Sequence, residues 1–206
     1  MNTEKVCGVI AAISKRIEQE KEYLTELDNV IADGDHGINM ARGFAAAEAK
    51  LADLADTDIG TVLKTVGMTL VSVVGGSAGP LYGTAFMRAG MLTAGLSEID
   101  LAKFAECLKA AIDGVMMRGK AVKGEKTMLD AMIPAYEVIA EATGRGLSAK
   151  DALLAGVDAA REGVEYTKTI AATKGRASYI GERSIGHQDP GATSFTYMLE
   201  VIAQAI

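Results

Sequence analysis

Apolar side chains recur at three- and four-residue intervals along most of this chain, and this spacing is the feature that most constrains its fold. In the first such segment they are Val6, Val9, Ile10, Ile13, Ile17 and Leu24. An α-helix places residues with this spacing on one face, and similar stripes run through 101–115 and 195–202. No segment alternates apolar and polar residues as a half-buried strand would. The spacing therefore predicts an all-α protein.

Start and stop signals divide the chain into eight predicted helices. They span 3–24, 37–54, 58–75, 80–94, 99–118, 127–142, 149–171 and 191–205. Ser97 and Ser148 are predicted N-caps, because an aspartate follows each of them three residues later. Pro80 is predicted in a first helical turn, where the missing N–H is tolerated. With no internal repeat or linker in the sequence, we expect one domain over residues 1–206.

Charge and cysteine usage exclude several classes of protein. The formal net charge of −6 disfavours nonspecific binding to nucleic acid or to an anionic membrane, since both need a basic face. Cys7 and Cys107 stand alone in apolar stretches, which indicates packing residues rather than a disulfide framework or a zinc site. No apolar run is long enough for a signal peptide or a membrane span. A cytoplasmic location is therefore expected.

Four of the seven connections between the predicted helices are rich in glycine. These are 27–37, 75–80, 118–128 and 174–191, whereas the connections at 55–57, 95–98 and 143–148 are short and polar. The two kinds alternate along the chain. In an up-and-down antiparallel bundle, alternate connections lie at the same end. The sequence thus predicts an eight-helix antiparallel bundle or barrel with one functional site at one end.

Asp28, Asp33 and Asp35 place three carboxylates in the first of these connections. Magnesium prefers oxygen ligands and commonly takes one or two carboxylates together with phosphate oxygens. The cluster therefore predicts a metal site, while an Asp-Gly turn that caps a helix is the alternative interpretation. An EF-hand loop is excluded, because no glutamate occupies its twelfth position.

The other glycine-rich connections offer groups that bind anions. The run 75–79 precedes Pro80 and a helix, so it would direct free N–H groups and the positive end of the helix dipole at a phosphate. Arg176, near Lys174 and Arg183, could contact phosphate oxygens. A tight turn and a solvated basic loop are the respective alternatives. Met128 could line an adenine pocket or simply fill the core.

Four motifs in these connections resemble the L subunits of bacterial dihydroxyacetone kinases. They are Leu27-Asp28 with Asp33-Gly34-Asp35-His36-Gly37-Ile38-Asn39-Met40, then Gly75 to Gly83, then Gly124-Glu125-Lys126-Thr127-Met128, and finally Lys174 to Tyr179 with Gly186 to Gly191. The resemblance covers nearly the whole chain and implies an eight-helix antiparallel barrel that binds ADP or ATP with two Mg²⁺ ions at one end. One departure is that the family's Gly-Gly-Ala-Ser-Gly order is Gly-Gly-Ser-Ala-Gly here.

The resemblance also implies a role for each residue of the site. Asp28, Asp33 and Asp35 would hold the metal ions and, with Arg176, form the catalytic set. The nucleotide contacts would come from His36, Gly37, Ile38, Asn39, Ser77, Ala78, Gly79, Gly119, Met128, Arg176, Asp189, Pro190 and Gly191. Because the hydroxyl of the glycine-rich run has moved by one residue, the backbone contacts there are a firmer expectation than any role for Ser77.

The activity that the resemblance implies requires partners. A separate K subunit holds dihydroxyacetone, the L subunit delivers the γ-phosphoryl group, and an M subunit of the phosphotransferase system rephosphorylates ADP. Three alternatives stay open: direct exchange of ADP for ATP, a fatty-acid kinase type of nucleotide domain, and a non-catalytic ADP-sensing subunit that controls a transcriptional regulator. The oligomeric state also stays open, with a homodimer as one option.

Overall fold

The computed structural model describes all 206 residues and contains only helices and their connections. The α-helices are α1 (Thr3–Gln19), α2 (Lys21–Ile31), α3 (His36–Glu48), α4 (Ile59–Val73), α5 (Ala78–Leu92), α6 (Leu101–Gly119), α7 (Leu129–Gly144), α8 (Ala149–Thr167) and α9 (Pro190–Gln204). Short 3₁₀ turns occur at Leu51–Leu54, Arg176–Tyr179 and Gly181–Ser184. The predicted all-α class is confirmed. No helix combines the length and the apolar character needed to cross a bilayer.

The first predicted helix differs most from the structure. The chain leaves helical geometry at Glu20, where φ is −96° and ψ is 5°, so 3–24 divides into α1 and α2. The apolar stripe continues through Leu24, and no glycine or proline marks the break. Helix α2 then extends to Ile31. Asp28, which we predicted in a loop, consequently lies on the last turn of a helix.

The other predicted boundaries differ by smaller amounts. Helix α8 ends at Thr167, four residues before the predicted 171. Ser148 is the N-cap that the sequence predicts, and its Oγ accepts the N–H of Asp151. The prediction for Ser97 was wrong, because Asp100 caps α6 with its own carboxylate. Pro80 lies in the first turn of α5, as predicted.

The helices form a closed ring around one core. Each of α3 to α8 packs against the next helix along the chain, and α1, which α2 prolongs, packs between α3 and α9. Counting α1 and α2 together, the ring has eight members, and neighbours run in opposite directions. A continuous cluster of buried apolar residues fills it, including an edge-to-face contact between Phe44 and Phe86 with ring centroids 6.0 Å apart. An apolar space of about 160 Å³ remains inside the ring.

Candidate functional site

All four glycine-rich connections meet at one end of the ring, which confirms the predicted convergence. They surround a cleft of about 460 Å³. Its lining from these connections and the adjoining helix ends includes Asp28, Asp33, Asp35, His36, Asn39, Gly75, Gly76, Ser77, Ala78, Gly119, Lys126, Met128, Arg176, Asp189, Pro190 and Gly191. A cleft of this volume is of the size that small-molecule sites usually have.

The three aspartates converge on one point of this cleft. Oxygen atoms of Asp28, Asp33 and Asp35 all lie within 4.8 Å of one another. Asp28 is buried, and its Oδ2 accepts the N–H groups of Asp35 (2.9 Å) and His36 (3.2 Å). These bonds tie the last turn of α2 to the start of α3. A positive φ of 71° at Gly34 lets the chain turn back between them.

The aspartate cluster has the composition of a site for a hard divalent cation. Its ligand atoms are all carboxylate oxygens, and no histidine or cysteine belongs to the cluster. Asp28 can offer Oδ1, since Oδ2 is engaged by backbone N–H groups. Magnesium accepts such oxygens and fills its other positions with water or phosphate. These residues therefore fit the metal that the sequence predicts.

Arg176 brings a positive charge to the same cluster. Its Nη1 lies 3.1 Å from Oδ2 of Asp33, across the cleft between two connections that are distant in sequence. The guanidinium is mostly exposed at the rim, so this ion pair alone adds little to stability. A cation held by the aspartates could bind an anion. The guanidinium of Arg176 would then be close enough to donate two hydrogen bonds to that anion.

The glycine-rich run before α5 presents free backbone donors. Gly76 has a φ of 63°, and the side chain of Ser77 does not cap the helix. The N–H groups of Gly76, Ser77 and Ala78 accordingly meet no acceptor within the chain. Unpaired N–H groups at a helix N-terminus, with the positive end of the dipole behind them, bind anions.

The start of α9 forms another wall of the cleft. Asp189 caps this helix by accepting the N–H of Ala192 at 2.7 Å, and Pro190 occupies the first helical position. The pKa of the Asp189 carboxyl is raised to about 7, chiefly by burial and in part by the nearby charges of Asp130 and Asp28. The Ala192 N–H and the Lys126 ammonium oppose this effect.

A buried network of hydrogen-bonded side chains lies beneath the cleft and joins three helices. The Nε2 atom of His36 is 2.9 Å from Oγ of Ser194, and the Tyr82 hydroxyl is 2.8 Å from the same oxygen. The Tyr82 hydroxyl also donates to the Gly191 carbonyl at 3.0 Å. Burial lowers the pKa of His36 to about 4, so the ring is neutral at pH 7. These contacts hold the starts of α3 and α9 in a fixed relation.

Three of the predicted nucleotide contacts lie outside the cleft lining. Ile38 points to solvent and is 52 % exposed. Gly37 is buried against α2, where an added Cβ would lie 2.0 Å from the Lys21 carbonyl oxygen, and Gly79 packs in the same way against the Val74 carbonyl oxygen. Their predicted roles remain predictions, and the visible role of the two glycines is to allow close helix packing.

Several polar residues at the cleft escaped the sequence analysis. Lys126, Asp130, Tyr82 and Ser194 are all buried, and each is hydrogen-bonded to one of the connections that form the site. Lys126 stands in one of the four glycine-bearing motifs, but a lysine in a loop is usually solvated. Asp130, Tyr82 and Ser194 occupy helical stretches whose periodicity gives no sign of a buried polar group near the cleft.

Known proteins resemble this chain closely enough to show its family. Residues 30–204 match the family model described as the DAK2 domain. The ADP-binding subunit DhaL of the PEP-dependent dihydroxyacetone kinase of Escherichia coli is 48 % identical over 186 residues, which cover 90 % of this chain and 89 % of that protein. The corresponding subunit of dihydroxyacetone kinase 1 of Listeria innocua is 43 % identical over 191 residues, or 92 % of this chain and 90 % of that protein.

A solved structure shares the fold. The crystal structure of the dihydroxyacetone kinase from C. freundii, in complex with AMP-PNP and Mg²⁺, superposes with a TM-score of 0.77. The match covers 98 % of this chain and 34 % of that longer one, at 24 % identity. The family match over most of the chain, with relatives above 40 % identity along nearly their full lengths, shows that this chain belongs to the DAK2 family, among the DhaL subunits of dihydroxyacetone kinases.

Proposed function

We propose that this chain binds ADP or ATP with two Mg²⁺ ions in the cleft and acts as the phosphoryl-transferring subunit of a dihydroxyacetone kinase. One observation carries the proposal. The carboxylates of Asp28, Asp33 and Asp35 and the free N–H groups of residues 76–78 line the same cleft. A diphosphate needs both kinds of group, namely cations held by carboxylates and neutral donors directed at its oxygens.

The other residues that line the cleft would contact either the phosphates or the adenine base of the nucleotide. Arg176 stands over the aspartate cluster, where its guanidinium would contact the terminal phosphoryl oxygens. Met128 is almost fully buried and lies beside Gly191, whose Cβ position is 3.4 Å from the Met128 Cβ. Met128, Gly191 and Gly119, which lies at the end of α6, form the less polar side of the cleft, where an adenine ring would bind.

Magnesium bound by the three carboxylates would neutralise charge on the β- and γ-phosphates. Transfer itself would break the bond between the γ-phosphorus and the oxygen that bridges it to the β-phosphorus, with ADP as the leaving group. A bond would form to a hydroxyl oxygen of dihydroxyacetone, which would lose its proton to the K subunit or to water. Such a reaction depends on positioning and charge stabilisation, so this chain does not have to supply a nucleophile. The substrate would be held by a separate K subunit that faces the open rim, and an M subunit would rephosphorylate the bound ADP.

The metal requirement is the sharpest test of nucleotide binding. We expect Asp33→Asn with Asp35→Asn to weaken Mg²⁺-dependent ADP binding by about 100-fold or more, because both changes remove charged ligands. The matched control is Asp53→Asn, which alters an exposed aspartate in the 3₁₀ turn between α3 and α4. Calorimetry would give the affinities, and circular dichroism should show unchanged helix content. ADP binding that is equally tight without Mg²⁺ would refute the proposed site.

Reconstitution tests the activity. Mixed with a K subunit, an M subunit and phosphoenolpyruvate, the chain should produce dihydroxyacetone phosphate, and ATP without the M subunit should not sustain turnover. Turnover with ATP alone would indicate direct nucleotide exchange. Tight ADP binding with no product under either condition would favour a regulatory ADP sensor. Native mass spectrometry of the same sample would report bound ADP, the number of metal ions and the number of subunits.

A further inference from the structure

Lys126 has an environment that the proposed function does not yet explain. Its side chain is 1 % exposed, although a lysine is almost never fully buried without partners. It is also one of only two residues other than glycine with a positive φ, at 61°. This conformation is unfavourable for a side chain with a Cβ, so the surrounding structure must hold it in place.

The Lys126 ammonium group donates to three backbone carbonyls. Two of them, on Thr167 and Ile170, lie at the end of α8 and just beyond it, the second at 3.4 Å. The third, on His187, lies two residues before the cap of α9. These acceptors lie at the two ends of one long connection, residues 168–188, which we call the Arg176 segment. Its roots are the two ends, where it leaves α8 and where it enters α9. The ammonium is thus bonded to the beginning and to the end of the segment that carries Arg176.

Few other bonds close this segment. Its roots are joined directly by the Gly186 N–H to the Lys168 carbonyl at 2.7 Å, and by the Asp189 N–H to the Thr167 hydroxyl at 3.0 Å. Its middle is held on the barrel by the Thr173 N–H to the Glu125 carbonyl at 3.4 Å, by the ion pair of Arg176 and by a small buried apolar cluster, and most of its remaining hydrogen bonds are local. A buried cation shared by both roots adds a strong constraint where the segment leaves the barrel and returns to it, because charged donors make stronger hydrogen bonds than neutral ones.

Buried carboxylates compensate the charge of the lysine. Asp130 is fully buried, and its Oδ2 accepts the N–H of Thr127 at 2.8 Å, while its Oδ1 accepts the N–H of Gly124. These bonds hold the turn around Lys126 in its strained conformation. Desolvation lowers the pKa of the ammonium, and the charges of Asp189 and Asp130 oppose that shift. Because an isolated buried charge would be very costly, the arrangement requires these partners.

We propose that Lys126 is a positioning residue for the phosphoryl-transfer site: its ammonium fixes both roots of the Arg176 segment, and so sets Arg176 and the start of α9 relative to the aspartate cluster. The inference rests on the proposed nucleotide function, because the segment matters only if its residues contact the bound nucleotide. Lys126 itself acts through the backbone of the segment. An apolar residue in its place would leave three carbonyls without a donor and release the segment.

The test compares Lys126→Met with Lys168→Met, which removes a lysine from the same segment whose ammonium binds only the neighbouring Glu165. We expect Lys126→Met to weaken Mg²⁺–ADP binding by about 30-fold, with Lys168→Met unchanged. Trypsin should cleave the ligand-free Lys126→Met protein after Arg176 and Arg183 faster than the wild type, which mass spectrometry of the fragments would measure. Wild-type affinity and wild-type cleavage in Lys126→Met would overturn the inference.

A double mutant separates positioning from a general loss of stability. In an Arg176→Ala background, Lys126→Met should cost much less ADP affinity than it does alone, because part of what it misplaces is already absent. Equal costs in both backgrounds would overturn the inference. Lys126→Gln keeps a neutral donor and serves if Lys126→Met does not fold, and loss of the helical spectrum in both variants would assign the lysine to global stability instead. A wild-type protein that fails to bind Mg²⁺–ADP would refute the proposed function, while the cleavage comparison still tests the constraint on the segment.

Discussion

The two ends of the helical ring differ in how the N-termini of their helices are capped. At the end away from the cleft, α1, α4, α6 and α8 each begin with an N-cap residue whose side-chain oxygen accepts a free N–H of its helix. These residues are Asn2, Asp58, Asp100 and Ser148. At the cleft, α3, α5 and α7 begin without such a cap, and only α9 has one. One end is therefore satisfied by caps from the N-cap residues, whereas at the other Asp28 and Thr127 bind N–H groups of α3 and α7, and the donors before α5 stay free.

The difference explains why the ligand site lies where it does. Four helix N-termini point at the cleft, so their dipoles favour negative charge there, and α5 leaves its first N–H groups unpaired. For α3 the acceptor comes from another helix, since Asp28 of α2 binds the N–H groups of Asp35 and His36. The same acidic protein can thus attract a polyanion locally, through backbone groups and cations, without a basic surface.

The largest expected effect concerns close packing at the cleft end. Gly37→Ala would place a Cβ 2.0 Å from the Lys21 carbonyl oxygen, and α2 cannot move without displacing Asp28. We expect a loss of about 3 kcal/mol in the free energy of unfolding, as measured by urea denaturation. Gly8→Ala in α1 is the control at the opposite end, where a Cβ would meet nothing within 4 Å. That variant should be more stable by about 0.5–1 kcal/mol. If both variants lose similar stability, the contrast between the two ends is wrong.

The sequence predicted features that depend on neighbouring residues better than features that depend on distant ones. The cap at Ser148 and the first-turn position of Pro80 depend on neighbours in sequence, so local patterns reveal them. Convergence of the four connections also followed, because it depends only on topology. Lys126 and Ser194, in contrast, are defined by partners more than 40 residues away. A single sequence carries no signal for such pairings, and the same holds for the break at Glu20, which leaves the apolar stripe intact.

Two buried titratable groups at the cleft should shape the pH dependence of stability in opposite directions. The folded pKa of His36 is lowered from 6.5 to about 4, so its contribution is complete above pH 6.5 and is lost as the pH falls towards 4. The folded pKa of Asp189 is raised to about 7, so its contribution is complete at low pH and is lost as the pH rises towards 7. Between these limits the two effects offset each other in the wild type.

Asp189→Asn would expose the effect of His36 while it keeps an N-cap side chain on α9. We expect the free energy of unfolding of this variant to fall more steeply than that of the wild type as the pH drops from 6.5 towards 4. The additional loss should be on the order of 2 kcal/mol, since a shift of one pKa unit corresponds to about 1.4 kcal/mol. Urea denaturation at several pH values would measure it. Parallel pH profiles for the two proteins would show that Asp189 does not titrate as inferred.

The smallest expected effect tests the opposite end on its own. Ser148 accepts the N–H of Asp151 at 3.1 Å and donates its hydroxyl to the same residue's carboxylate at 2.6 Å. Ser148→Ala should lower the free energy of unfolding by about 1 kcal/mol, which is typical for the loss of such a cap. Mg²⁺–ADP affinity should not change, because α8 begins at the end of the ring that faces away from the cleft. Calorimetry and urea denaturation on the same preparation would check both statements. A weakened ADP affinity would mean that the two ends are coupled through α8, and that the caps of the opposite end contribute to the geometry of the Arg176 segment.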